Sequence, residues 1–213
     1  MLKKAFVSAL CVLALPATAN TAPGPFGLDW GVTPEEVRNA GVVTTPHKSF
    51  SNISAHGASR LPQGHAYGKA YSLMFDADFG LQRVTLISEA ISGDRDGAEG
   101  KIQYSLLKKR LTKQYGEPIA HIESAGEAFR LLPHEFYPCI AISDCGHWMT
   151  VFNGPGSAGR IVLEMHGIST GTGYLTVTHE GPLWFEQSSQ VPDVAALAPS
   201  HSRLGTSLST TGG

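Results

Sequence analysis

Charge is sparse in this 213-residue chain: 16% of the residues are charged, and 16 Lys and Arg stand against 18 Asp and Glu, a formal net charge of −2. Without a basic excess there is no electrostatic footprint for nucleic acid or for an anionic membrane surface. No apolar run reaches the roughly 20 residues that a bilayer-spanning helix needs. The usual catalytic signatures are missing as well. There is no G-x-S-x-G elbow, and Gly154–Gly159 lacks the strand–helix order that would make its Gly156-Ser157-Ala158 one. No Walker sequence or G-x-G-x-x-G opens a helix after a strand. The pairs Asp76/Asp78 and Asp94/Asp96 fall short of an EF-hand loop. What remains is an ordinary apolar fraction, 42%, with 24 Gly and 13 Pro. That balance fits a loop-rich globular chain and excludes fibrous and fully disordered classes.

The first residues read as an address. Lys3 and Lys4 precede an apolar run from Ala5 to Leu15, Pro16 breaks it, and Ala17-Thr18-Ala19 is a small-x-small cleavage site. This is the order of a secretory signal peptide, and the run is too short for a membrane anchor. Residues 1–19 are therefore expected to be removed, which points to a periplasmic or secreted protein with no stable membrane insertion. Cys11 leaves with the signal peptide, so Cys139 and Cys145 remain. In an oxidising compartment such a pair is expected to form a disulfide that shapes the loop Pro133–Gly146.

Along the mature chain, Thr33-Pro34-Glu35-Glu36 is a capping box for a short helix that Gly41 stops. Residues 46–66, rich in His, Ser, Gly and Pro, read as mostly loop. Tyr71, Leu73 and Phe75 alternate as a strand, Asp76–Gly80 is turn chemistry, and Leu81–Ser88 completes a hairpin. From Ala98 to Tyr115 a helix repeats Ile102, Leu106, Leu107, Leu111 and Tyr115 near a 3.6 period, and Gly116 and Pro118 end it. Its basic run Lys108–Lys113 reads as a solvated face rather than an anion site. Strands are expected at Ile119–Glu123, Ala128–Leu132, Trp148–Phe152, Arg160–His166 and Tyr174–His179. The fold class is α+β, a mainly antiparallel sheet with one short and one long helix, with a hint of an αββ duplication. The domain is placed at 23–182, and 183–213 reads as a disordered tail.

Phe26-Gly27-Leu28-Asp29-Trp30-Gly31-Val32-Thr33-Pro34-Glu35-Glu36-Val37 resembles a recurrent opening of small exported bacterial proteins, F-G-L/I-x-W-G before an S/T-x-x-E-V helix. Phe79–Val84 and Leu111–Pro118 are similar to further landmarks of those proteins, most of which have no assigned activity. The resemblance implies an exported α+β protein and transfers no active site. Phe26, Leu28 and Trp30 are read as an edge strand that staples the helix entry. Cys139-Ile140-Ala141-Ile142-Ser143-Asp144-Cys145 is similar to the disulfide loop of Ivy-type lysozyme inhibitors, which insert it into the enzyme cleft. Here five residues separate the cysteines rather than four, and His147 lies outside the loop, whereas that family's contact is made by a His within it.

The remaining candidates lie around that loop. His134, Cys139, Cys145 and His147 have the residue types of a zinc site, but the spacing is not that of a zinc finger and an exported pair prefers oxidation. Cys145 as a nucleophile conflicts with the same disulfide. Asp144, His147, Trp148 and His134 are the expected binding residues, with no catalytic residue, no metal and no cofactor. Three functions follow in order: a non-enzymatic periplasmic binding or interaction protein whose partner is a protein or cell-envelope component, an inhibitor or immunity protein against a cell-wall-degrading enzyme, and a hydrolase using Cys145 or a His-centred metal site.

Overall fold

Thr33 starts the first helix as its sequence dictates. Its hydroxyl accepts the Glu36 N–H at 3.2 Å, and the Glu36 carboxylate accepts the Thr33 N–H at 2.7 Å. The helix, α1 (Pro34–Asn39), buries Val37 and ends where Gly41 turns left-handed. This computed structural model describes residues 22–125, 136–142, 144–155 and 159–184, with Lys48 placed by its backbone alone.

After α1 come β1 (Thr44–Phe50), β2 (Ile53–Ala58), β3 (Gly68–Asp76) and β4 (Gly80–Ser88), each antiparallel to the last. A short β5 (Ile91–Ser92) leads into α2 (Ala98–Tyr115), then β6 (Ala120–Ala125), α3 (Phe136–Ile140), β7 (Gly146–Asn153), β8 (Arg160–Ser169) and β9 (Thr172–Glu180). Among the described residues, nine strands belong to one sheet of order β1-β2-β3-β4-β9-β8-β7-β6, with β5 on β9. The order reads the same from both edges. Each half is a helix followed by a four-strand meander, and the halves join where β4 pairs with β9. At that seam the hydroxyls of Thr85 and Thr178 lie 3.1 Å apart.

The α+β class and the mainly antiparallel sheet are as the alternation of apolar residues predicts, and several details differ. Residues 46–58 are not loop but most of β1 together with β2, so each half carries four strands rather than two. The apolar signal is missing there because β1 is an edge strand with a bulge beside Pro46, and β2 buries only His56 and Ala58. The 3-10 turn Pro25–Gly27 takes the place of the edge strand expected at Phe26–Trp30. A third helix, α3, lies inside what reads as the loop Pro133–Gly146, and the strand expected at Ala128–Leu132 falls outside the described residues.

Registers place Leu73, Val84, His179 and Ile161 in one row and Tyr71, Leu86, Val177 and Leu163 in the next, all buried on the face that α2 covers. On α2 the inward residues are Gly100, Tyr104, Leu107 and Leu111. Ile102 and Leu106, expected to face the core, are 57% and 50% exposed instead. Asp94 fixes the start of this helix. Its carboxylate accepts the N–H groups of Glu99 and Gly100 and the phenol O–H of Tyr137, at 3.1, 2.8 and 2.8 Å. Burial pushes its carboxyl upward, and these donors bring it below the usual carboxylate range. Tyr137, fully buried, anchors α3 over Gly100, Gly167 and Gly173, where any Cβ would collide with it. Among the described residues no helix is long and apolar enough to cross a membrane.

Candidate functional site

The sheet alternates inward and outward side chains, so β9 sends Leu175, Val177 and His179 under α2. His179 is the exception in an apolar row. It is 7% exposed, and among the described residues neither ring nitrogen has a hydrogen-bond partner. Burial drives its pKa down to about 4, so the ring is neutral at physiological pH.

The ring faces a cavity of about 540 Å³ between α2, β4, β9 and the amino-terminal turn. Leu86, Leu107, Leu111 and Val177 form its apolar floor. Phe26 meets His179 edge-on at 5.1 Å and Tyr71 at 5.3 Å, and Tyr115 meets His179 from another side at 6.1 Å. Phe26 holds this position from a left-handed backbone (φ 58°, ψ 27°), unusual for a residue with a Cβ, while its carbonyl accepts the Gln63 N–H at 2.9 Å. Strain of this kind costs of order 1–3 kcal/mol and persists where the surroundings fix it. Here those surroundings are the walls of a cavity.

Its mouth is polar on one side. His65, Gln63, Arg110 and Gln114 line it. The Arg110 guanidinium lies over the Tyr67 ring, 4.9 Å from its centroid, and the His65 ring stacks on the same Tyr67 ring at 5.1 Å and 15°. Nδ1 of His65 accepts the Tyr67 N–H at 3.2 Å, which leaves Nε2 as the protonated nitrogen of the neutral ring. Burial, then the Arg110 charge, hold His65 below its ordinary pKa.

The comparisons with protein-family models, curated proteins and solved structures find no match. The site therefore rests on its own geometry.

The residues singled out in the sequence lie elsewhere. Cys139 and Cys145 are joined as a disulfide, Cα–Cα 5.0 Å, which closes the end of α3 onto the start of β7. With their sulfurs bonded to each other these cysteines offer neither a metal thiolate nor a nucleophile. Asp144 and His147 are exposed at the β7 end of the ring. Trp148 points inward, edge-on to Tyr104 and Phe136 at 6.3 and 5.3 Å, with the Lys101 ammonium over it. His134 lies outside the described residues. His166 faces away from α2, stacked on Tyr174 and bonded to the Thr176 hydroxyl at 2.9 Å. The histidines thus do not converge, and no group of His, Cys, Asp and Glu among the described residues is placed to hold a metal. Asp76 and Asp94, whose D-x-D pairs fall short of a calcium loop, accept backbone N–H groups of their own turns.

The cavity was harder to foresee. Its sequence signals are slight: a histidine in the inward register of Leu175 and Val177, and Leu107, Arg110, Leu111 and Gln114 recurring along one side of α2.

Proposed function

We propose that this is an exported, non-enzymatic binding protein that takes a small, largely apolar ligand into the cavity beneath α2. The observation that carries this reading is His179, a buried imidazole without a protein partner, facing a space of ligand size. A neutral imidazole carries one donor and one acceptor nitrogen, and a ligand in the cavity can hydrogen-bond the one that opens onto it. Cavities of roughly 300–1,000 Å³ with apolar walls and a few placed polar groups are the usual form of small-molecule sites. Export is supported by the amino-terminal address and by the Cys139–Cys145 disulfide, which belongs in an oxidising compartment.

The test uses the neutral fluorophore N-phenyl-1-naphthylamine, which brightens in apolar surroundings. It is expected to bind the mature chain at one site, and Val177→Trp, which fills the floor, is expected to lose that signal while the far-ultraviolet spectrum stays unchanged. Leu111→Trp serves as an independent filling variant. A wild-type chain that does not brighten the probe, or folded filling variants that still do, would overturn the reading.

A second reading rests on the disulfide segment. It exposes Ile142 and Asp144 beside His147, and a short covalent ring lowers the ordering cost of a protein contact. An inhibitor or immunity role would use that surface.

A further inference from the structure

We infer that the ligand of the cavity carries one carboxylate on an apolar body, with the carboxylate held at the mouth by Arg110 and His65 and the body reaching toward His179. This rests on the cavity reading above and narrows its ligand class. Arg110 is the one permanently charged residue among those described that line the cavity, and neither Asp nor Glu is among them. A cationic ligand would find no counter-charge there and would meet the Arg110 field, the field that already helps hold His65 neutral.

The state of Arg110 makes the mouth specific. Its guanidinium sits over the Tyr67 ring, a cation–π contact that uses none of its N–H groups and leaves their edge available. Among the described residues no carboxylate pairs with it and no side-chain hydrogen bond takes up that edge. A planar guanidinium fork that is already oriented, but unpaired, matches a carboxylate in two parallel bonds with little ordering cost. His65 adds a second donor. Its Nδ1 is taken by the Tyr67 N–H, so in the neutral ring Nε2 carries the proton. One fixed positive charge and one neutral donor suit a single negative charge rather than a dianion. Behind them the floor of Leu86, Leu107, Leu111 and Val177 offers no charge, so the rest of the ligand must be apolar.

The experiment is a competition against bound N-phenyl-1-naphthylamine with three eight-carbon molecules that differ only in the head group: octanoate, octanol and octyltrimethylammonium. Octanoate is expected to displace the fluorophore about tenfold more effectively than octanol, the factor that a charge-assisted hydrogen bond supplies, with octyltrimethylammonium weakest. Arg110 is exposed on α2, so Arg110→Gln is expected to fold, and its displacement curves are read against its own affinity for the fluorophore. In that variant octanoate should fall to the level of octanol. If octanol equals octanoate in the wild type, if octanoate does not displace the fluorophore, if the cation displaces it best, or if Arg110→Gln keeps the preference, the carboxylate inference is overturned while the cavity reading stands. If the fluorophore never binds the wild type, both fall together.

Discussion

At the scale of single residues, His179 turns a place in the sheet into a measurable property. Its folded pKa is near 4, against about 6.5 for a free imidazole. Below pH 6.5 the unfolded chain takes up a proton that the native chain refuses, so stability is full above pH 6.5 and falls as the pH drops toward 4. The loss from this one group approaches about 3 kcal/mol over that window. His56, His65 and His166 are also held below their ordinary values by burial and act in the same direction. The contribution of His179 is therefore read as a difference: urea unfolding of wild type and His179→Gln at pH 7.5 and pH 4.5 should show a clearly smaller pH dependence in the variant. Equal dependence would mean that the ring is not buried neutral. In the sequence, nothing local separates His179 from His166, since each closes a run of alternating apolar residues. The difference is one residue of register. Tyr174 and Thr176 face outward with His166, whereas Val177 and His179 turn under α2.

Among the elements, α1 and α2 are legible to within a residue or so and the β3–β4 hairpin to within three, since each has its own punctuation: a capping box, a glycine stop, the turn Asp76–Gly80. The strands β1 and β2 were not, because β1 lies at the sheet edge and β2 beside it buries only His56 and Ala58, too little burial to write alternation into the sequence. The inward face of α2 was misjudged for a related reason. Gly100 and Tyr104 carry no aliphatic signal, yet Gly100 is required by the Tyr137 phenol above it, and the Tyr104 hydroxyl lies 2.6 Å from that of Thr150. The disulfide was read correctly, and its energetic weight belongs to this scale. A ring this short removes little entropy from the unfolded chain, so Cys139→Ser/Cys145→Ser should cost about 2 kcal/mol in chemical denaturation. Tyr137 and Asp94 still hold α3 in that variant. A loss well above that figure, or failure to fold, would show that the ring rather than Tyr137 seats α3. A folded double variant that bound the fluorophore as before would separate the disulfide segment from the cavity.

The whole molecule is two αββββ halves sharing one sheet, and the cavity lies beside their junction, with Leu86 from β4 and Val177 and His179 from β9. The α+β class and antiparallel sheet could be read from the chain. The palindromic strand order could not, because it depends on β4 meeting β9 across 84 to 179, a pairing with no local signature. Beyond β9 the chain is tied once more, by the Leu183 N–H to the Gln82 side chain at 3.3 Å and by Trp184 over the Arg83 guanidinium at 5.2 Å. These anchors run two residues past the expected start of the tail. With them intact, removal of Pro192–Gly213 should leave the melting temperature within about 2 °C, a change of less than about 1 kcal/mol for a chain of this size. A larger drop would mean that the tail contributes to the fold.

The most direct measurement follows the imidazole itself. In a ¹⁵N-labelled mature chain, the ring nitrogens of His179 are expected to report a neutral side chain at pH 6 and to shift as N-phenyl-1-naphthylamine is added, saturating together with its fluorescence, while the amides of Cys139 and Cys145 stay in place. A ring already charged at pH 6, or one that does not respond to a bound fluorophore, would contradict the assignment of this cavity as the ligand site.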